Sequence, residues 1–330
     1  MLVKSSTIVV AFCVFLSSFS FAQSGENTEQ PIFEYRQTNH PVVGKNGMVA
    51  SHNALASQIG AEILAYGGNA FDAAAAIGFA LSVTLPRAGS IGGGGFMLVY
   101  LADTNKTIAI DLRETAPLAA HANMFFDEDG EVDREEYRFS HKSSAIPGGV
   151  AGYAHIVNKY GTMKWADILA PAIKLARDGI KVSYDLHADI RQNRQRLSNN
   201  AASRGHFFKP DGSLYEVGEL YKQPDLAWTL AEIAKHGPDA FYKGSVAKKI
   251  VADMKAHNGL ITMEDLAAYK VIEREPVRGS YRGYDIAAMS APSSGGTHVI
   301  QMLNILENFS LKDLGQGSAD AIHLMAEAMK

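Results

Sequence analysis

Residues 86–117 read PRAGSIGGGGFMLVYLADTNKTIAIDLRETAP, and the rest of the chain is organised around this stretch. Two short apolar runs, residues 97–101 and 107–112, are separated by the turn residues Asp103, Thr104 and Asn105. Runs of this kind joined by turn residues predict a β-hairpin. The four consecutive glycines before the hairpin allow close approach of backbone to backbone or to a ligand, because glycine has no Cβ.

Arg113 follows the second predicted strand directly. Its guanidinium is a planar fork of N–H donors that can bind a carboxylate through two hydrogen bonds. Most arginines are surface residues without a ligand, but this one lies at a strand exit before a loop that contains Pro117. We expect the hairpin to hold Arg113 for binding a substrate carboxylate. Strand alternation predicts Leu112 and Glu114 on the opposite side, so Glu114 is not expected to share that ligand.

The first 22 residues predict a secretory signal peptide. Lys4 supplies the basic start, residues 7–16 are apolar, and Ser20-Phe21-Ala22 forms a small-x-small cleavage pattern before Gln23. The apolar run is short for a membrane span, although a retained N-terminal anchor is the alternative. We therefore predict a mature chain of residues 23–330 that is periplasmic or secreted and not held in a membrane.

The composition limits the partners and the chemistry that can be expected of the chain. The chain has 330 residues, 47% of them hydrophobic, and a formal net charge of −4, so a packed core is expected and nucleic acid is not an expected partner. The single cysteine, Cys13, lies inside the predicted signal peptide. Disulfides and thiol chemistry are therefore not expected in the mature chain.

Hydrophobic periodicity and capping residues predict many helices and few strands. A strand is predicted at residues 48–51 and a strand pair at 277–289, with an acidic loop at 127–136 and another loop at 207–221. Helices are predicted at residues 54–66, 71–85, 150–160, 165–178, 185–197, 225–236, 245–258, from Thr262, at 297–308 and at 318–330. This pattern indicates layered α/β or α+β packing in one domain. The last helix has no stop signal, so we expect the sequence to be unfinished.

Common catalytic and metal patterns are not found. No Gly-x-Ser-x-Gly elbow occurs, and Ser293 and Ser294 near His298 fit a helix start better than a nucleophile and its base. The eleven histidines form no His-Glu-x-x-His or other close ligand pair, and His187 and Asp189 would not share a helix face. No metal is expected. The glycines at 92–95 precede a strand instead of following one, which excludes a dinucleotide fingerprint.

Seven segments carry a resemblance that covers nearly the whole mature chain. They are GGNAFDAA at 67–74, GGGGFM at 92–97, DLRETAP at 111–117, YGTM at 160–163, LARDG at 175–179, GPDAFY at 237–242 and PSSGG at 292–296. In these segments and their order, the chain closely resembles the γ-glutamyltranspeptidases, also called glutathione hydrolases.

The resemblance implies a four-layer αββα sandwich of the N-terminal-nucleophile hydrolase type, made as a precursor that cleaves itself into a large and a small subunit. A threonine freed at the start of the small subunit takes the γ-glutamyl group from glutathione or another γ-glutamyl compound. Water, an amino acid or a peptide amine then receives it. By the motif Asp-x-Arg-Glu-x-Ala-Pro, Arg113 would bind the donor's α-carboxylate. No cofactor is expected.

The matching segments belong to the large subunit, so residues 23–330 are expected to be the large-subunit portion. None of the threonines of this chain lies in the family's autoprocessing sequence, and no catalytic residue is assigned here. Without the small subunit as a partner, the chain is expected to be inactive. Two alternatives stay open. One is a same-superfamily acylase acting on a glutaryl β-lactam. Binding of an amino-acid carboxylate by Arg113 would favour the γ-glutamyl enzyme over this acylase. The other is a non-catalytic fragment acting as a binding module.

Overall fold

The structure is a computed structural model that describes residues 42–330. The predicted signal peptide, its Cys13 and the polar segment at 23–39 lie outside the described residues. The helices are α1 (Ala54–Ala65), α2 (Ala70–Thr84), α3 (Arg134–Phe139), α4 (Gly149–Tyr160), α5 (Trp165–Asp178), α6 (Tyr184–Gln192), α7 (Arg194–Asn199), α8 (Ala201–Phe207), α9 (Pro224–His236), α10 (Asp239–Tyr242), α11 (Ser245–Ala256), α12 (Met263–Ala268), α13 (Gly295–Leu306), α14 (Leu311–Leu314) and α15 (Ala319–Met329). The strands are β1 (Phe96–Leu101), β2 (Lys106–Asp111), β3 (Ile180–Lys181), β4 (Leu220–Tyr221), β5 (Ile272–Arg274), β6 (Val277–Tyr281) and β7 (Tyr284–Ala288).

The predicted hairpin is confirmed. β1 pairs antiparallel with β2, from Phe96 opposite Asp111 to Leu101 opposite Lys106. At the turn, Asn105 adopts a left-handed conformation with φ 51°, which asparagine tolerates better than most residues. β5 pairs with the other edge of β2, so the sheet order is β1-β2-β5. Two further antiparallel pairs, β3 with β4 and β6 with β7, complete the sheets of the described residues.

Helix α2 is the centre of the core. It is apolar nearly all round, as the sequence predicts, and ten of its fifteen residues are buried. It packs against α1, α4 and α5, and α5 packs in turn against α9. The ring of Phe79 meets Tyr153 and Trp165 edge-on, with centroids 5.1 and 5.5 Å away. Ile110 of β2 belongs to the same buried cluster, so the sheet is fixed to the helical core. The mixed α/β character is therefore confirmed.

Three predicted elements need correction. Residues 48–51 form no strand, since no strand of the described chain pairs with them, and Val49 packs half-buried against the core instead. The helix predicted at 185–197 is interrupted at Asn193, whose side-chain amide donates to the Asp189 carbonyl. The acidic loop at 127–136 runs into α3, because the Asp133 carboxylate accepts the N–H groups of the first turn.

No helix within residues 42–330 is long and apolar enough to cross a bilayer.

Candidate functional site

The glycine-rich loop extends the hairpin beyond its last paired residues. Gly95 and Leu112 exchange both backbone hydrogen bonds, at 3.2 and 3.1 Å. A Cβ on Gly94 would overlap the Leu112 carbonyl oxygen and would lie 3.1 Å from both Arg113 Cα and Glu114 N. Gly94 is therefore packed directly against the backbone that carries Arg113, as the sequence predicted for this loop.

The start of α4 closes on the same loop from the other side. The carbonyl of Gly93 accepts the N–H groups of Gly148 and Gly149 at 3.0 and 2.9 Å. A Cβ on Gly148 would overlap both the Leu112 carbonyl oxygen and the hydroxyl of Tyr269. Three backbone segments thus meet at contact distance around the residue that precedes Arg113.

A buried carboxylate positions the backbone of Arg113. Asp111, which is 7% exposed, accepts the Arg113 N–H at 3.0 Å through Oδ1. Its other oxygen accepts from Nε of Arg274 on β5 at 2.9 Å and forms an ion pair with Nη2 of the same residue, also at 2.9 Å. The positive charge of Arg274 offsets the cost of burying the Asp111 carboxylate. Arg274 therefore supports the site indirectly, a role that the sequence analysis missed.

Two stacked tyrosines hold the carbonyl side of the same segment. The Tyr269 hydroxyl donates to the Arg113 carbonyl at 2.9 Å, and its ring stacks on Tyr242 at a centroid distance of 5.7 Å. The Tyr242 hydroxyl donates to the Pro147 carbonyl at 2.8 Å. Burial raises the pKa of both hydroxyls, and the carboxylates of Asp111 and Glu114 raise that of Tyr269 further. Both groups therefore remain protonated donors at neutral pH.

The Arg113 side chain itself is open to solvent, with 55% of its surface exposed. Its Nε lies 3.2 Å from Oε2 of Glu114, and Cζ lies 5.7 Å from the centroid of the Phe96 ring. The expectation that Glu114 points away from Arg113 was wrong. The chain leaves the strand at Asp111, so strand alternation no longer applies at residues 112–114.

A second cluster of motif residues lies at the start of α2. Asn69 and Asp72 form a capping box at the start of α2, where each side chain accepts the other's backbone N–H. The Asp72 carboxylate, which is completely buried, also accepts from the backbone N–H and hydroxyl of Thr162. The Asn69 amide donates to the Tyr160 carbonyl at 2.6 Å. Two sequence motifs, at 67–74 and 160–163, thus meet through one carboxylate.

The helix-start interpretation of the serines holds in part. Ser293 Oγ accepts the N–H of Gly295 at 3.2 Å, and Ser294 precedes α13 without a side-chain cap bond. Within residues 42–330, neither hydroxyl bonds the ring of His298. His187 and Asp189 have separate partners, the Tyr215 carbonyl and Arg87, as their spacing predicts.

One group of possible metal ligands was missed in the sequence. His141, Asp253 and His257 each offer a ligand atom within 4.8 Å of the other two. We call this group the His–Asp cluster. Asp253 and His257 are four residues apart at the end of α11, which places them on one face. The four-residue spacing could have been recognised in the sequence, and the expectation that the histidines form no close ligand pair was wrong.

The family described as gamma-glutamyltranspeptidase matches residues 56–330. The chain belongs to this family. The family assignment made from the motifs is thereby confirmed.

Three relatives indicate how close the family match is. The glutathione hydrolase proenzyme of Escherichia coli K12 is 47% identical over 324 residues, covering 97% of this chain and 56% of its own length. The Helicobacter pylori gamma-glutamyltranspeptidase structure superposes with a TM-score of 0.86 at 47% identity, covering 88% of this chain and 83% of that one. The acylase ACY 1 proenzyme of Pseudomonas sp. (strain SE83) is 42% identical over 297 residues, covering 88% and 53%. The chain spans about half the length of the curated relatives it matches.

Proposed function

We propose that this chain is the donor-binding part of a γ-glutamyl hydrolase/transferase acting on glutathione and other γ-glutamyl compounds. Arg113 binds the α-carboxylate of the donor's γ-glutamyl group. A second polypeptide from the same precursor, the small subunit, supplies the threonine nucleophile. The γ-glutamyl-enzyme intermediate is then resolved by water or by the amine of an amino acid or peptide. Family membership and the position of Arg113 in the motif support this function.

The observation that carries the proposal is the contrast between the fixed backbone and the free side chain of Arg113. Its N–H is bonded to Asp111, its carbonyl is bonded to Tyr269, and Gly94 packs on its Cα. Nε of the guanidinium lies 3.2 Å from Oε2 of Glu114, and its two Nη atoms make no hydrogen bond within residues 42–330. A guanidinium on a fixed backbone, with two Nη groups that can still donate, suits bidentate binding of a carboxylate.

The finer architecture is part of the same proposal. We infer that the β1-β2-β5 sheet contributes to one sheet of an αββα sandwich whose remaining strands come from the small subunit. Leu98 and Tyr100 on β1 and Ile272 on β5 support this, because these residues are 45%, 60% and 46% exposed. Apolar side chains exposed on a sheet are typical of a surface that another layer covers.

We also propose that residues 1–22 are removed as a signal peptide and that residues 23–330, the large-subunit portion, act in the periplasm or outside the cell. The basic start, short apolar run and small-x-small site support this. Mass spectrometry of the chain recovered from the periplasmic or culture fraction should give an N-terminus at Gln23. An intact N-terminus in the membrane fraction would favour the anchor instead.

The direct test replaces Arg113 in the complete precursor. Arg113→Lys keeps the charge but loses the planar fork. We expect a higher KM for γ-glutamyl-p-nitroanilide and a loss of about 1.5–3 kcal/mol in transition-state binding, the range for hydrogen bonds to charged groups. Arg138→Lys, on the exposed surface of α3, is the matched control and should leave the kinetics unchanged. Unchanged kinetics for Arg113→Lys would refute the donor-binding role.

An acylase acting on a glutaryl β-lactam is the second candidate, supported by the acylase relative. The sequence argument used the carboxylate bound by Arg113 to favour the γ-glutamyl donor. That argument is not sufficient by itself, because a glutaryl donor also carries a carboxylate at the far end of its chain. The α-amino group is what distinguishes a γ-glutamyl donor. Assaying the complete precursor on γ-glutamyl and glutaryl substrates therefore decides between them: the proposed function predicts faster turnover of the γ-glutamyl compound.

The isolated chain is the test for the third alternative, a non-catalytic binding module. Because the proposed nucleophile belongs to the small subunit, the purified chain should release no nitroaniline from γ-glutamyl-p-nitroanilide. Adding a separately produced small subunit should restore release if the two parts refold together. Turnover by the chain alone would contradict the division of roles proposed here.

A further inference from the structure

The His–Asp cluster lies outside the region around Arg113 and has no role in the proposed function. His141 belongs to a short 3₁₀ helix (His141–Ser143) that follows α3, whereas Asp253 is in α11 and His257 is its C-cap. The two imidazole rings are stacked nearly parallel, with centroids 4.4 Å apart and an interplanar angle of 13°. The cluster thus joins two segments that are more than a hundred residues apart in the sequence.

The distances within the cluster suit a metal ion. His141 Nε2 lies 3.0 Å from Oδ2 of Asp253, and His257 Nδ1 lies 3.3 Å from Oδ1 of the same carboxylate. Metal–ligand bonds of about 2.0–2.1 Å in tetrahedral geometry place neighbouring ligand atoms roughly 3.3 Å apart. These two separations are close to those that a tetrahedral ion requires. The two stacked rings would turn out of their parallel arrangement so that both nitrogens point at one ion.

The donor set indicates which ion would bind. Two imidazoles and one carboxylate suit Zn²⁺ and neighbouring transition metals, whereas Mg²⁺ and Ca²⁺ prefer oxygen ligands. Asp253 and His257 have side chains that are 58% and 50% exposed, so an ion can enter from solvent. A fourth position on the solvent side would be left for water.

We propose that His141, Asp253 and His257 form a surface site for a divalent transition-metal ion of the Zn²⁺ class. His141 coordinates through Nε2, Asp253 through its carboxylate and His257 through Nδ1. His257 Nδ1 lies 2.9 Å from the Asp253 carbonyl oxygen. Coordination through Nδ1 uses the neutral tautomer that carries its proton on Nε2, so the ion takes the place of a hydrogen bond to that carbonyl. The bound ion would fasten the segment around residue 141 to the end of α11.

Local packing supports this fastening role. A Cβ on Gly259, just after α11, would lie 3.0 Å from the Cβ of His141, so the two segments already touch beside the cluster. A ligand that binds only the folded state stabilises it by mass action. Metal binding should therefore raise the melting temperature of the chain without changing its secondary structure.

Isothermal titration of the purified, untagged chain with Zn²⁺ tests the site, with Mg²⁺ as the comparison ion. We expect one Zn²⁺ site and no comparable binding of Mg²⁺. His141→Ala, His257→Ala and Asp253→Asn should each weaken Zn²⁺ binding at least about tenfold, since changes to groups that only support a ligand already cost 10–100-fold. The matched control is His121→Ala, an exposed histidine outside the cluster, which should bind Zn²⁺ as the wild type does.

Two further measurements do not depend on the variants keeping full stability. Co²⁺ added to the wild-type chain should give the intense visible absorption of a four-coordinate ion, and Zn²⁺ should raise the melting temperature of the wild type and of His121→Ala only. Far-UV circular dichroism checks that each variant is folded. Absence of Zn²⁺ binding by the wild type, or equal binding by the folded cluster variants, would refute the site and leave a hydrogen-bonded cluster.

Discussion

Asp72 is the residue whose charge state has the clearest consequence for stability. Burial alone raises the pKa of its carboxyl, but the bonds donated by the Asn69 N–H, by the hydroxyl and N–H of Thr162 and by the Met163 N–H lower it below the ordinary value of 3.8. Stability from these bonds is fully present above pH 3.8 and is lost as the pH falls through the folded-state pKa.

Asp72→Asn should therefore lower the free energy of unfolding by about 1.5–3 kcal/mol at neutral pH, because an amide cannot accept the same set of bonds. The difference from the wild type should begin to shrink below about pH 3.8, where the carboxyl of the unfolded chain becomes protonated, and should be lost below the lower pKa of the folded state. Urea unfolding at several pH values measures this. Asp103→Asn, on an exposed turn, serves as the control, and a difference that persists unchanged in acid would contradict the account.

Tyr269 provides a second test at the level of a single side chain. Tyr269→Phe keeps the ring stacked on Tyr242 but removes the donor to the Arg113 carbonyl. We expect a loss of about 0.5–1.5 kcal/mol in unfolding free energy, the usual net contribution of one hydrogen bond. In the complete precursor KM should also rise, because the backbone of Arg113 is less firmly held. Tyr284→Phe, on an exposed strand, should change neither quantity.

At the level of an element, the glycine-rich loop offers a matched pair of substitutions. Gly94→Ala would bring a methyl group against the backbone of Leu112, Arg113 and Glu114, none of which can rotate away. Gly95→Ala meets nothing within 4 Å. The first should cost about 1–3 kcal/mol in stability, the range for overpacking a tight site. The second should cost much less, and thermal melting of the two variants side by side measures the difference.

The same two substitutions can also be compared by the activity of the complete precursor. If Gly94 sets the position of Arg113, Gly94→Ala should raise KM for the donor more than Gly95→Ala does, even at a temperature where both are folded. Equal effects of the two substitutions would show that the loop acts only through general flexibility.

At the scale of the whole molecule, we expect two copies of the chain to associate through the exposed edge strand β1. β1 is an edge strand within the described sheets, and Leu98 and Tyr100 stand exposed on the same side of it. Exposed apolar edge strands are templates for association. We expect concentration-dependent association in sedimentation velocity, and Leu98→Lys should reduce it. Leu118→Lys, at an exposed loop position, is the control, and a wild-type chain that stays monomeric at all concentrations would refute this expectation.

The sequence alone determined the local structure that depends on short-range chemistry. The hairpin, the Asn69 cap and the helices from α4 to α5 follow from turn residues, capping groups and apolar spacing, which act within a few residues. It also placed Arg113 just beyond the second strand, because the apolar run of that strand ends at Leu112. A break such as that at Asn193 could not be foreseen, because the residues around it have no strong helix-stopping signal.

Tertiary structure alone decided which distant groups meet. Asp72 meets Thr162, Asp111 meets Arg274, and Tyr269 meets the Arg113 carbonyl, each across 90 or more residues. Glu114 turned toward Arg113 because the chain had already left the strand, which ends the alternation on which the sequence argument relied. Periodicity fixes which face a residue occupies within its own element, but contacts between elements depend on how the whole core packs.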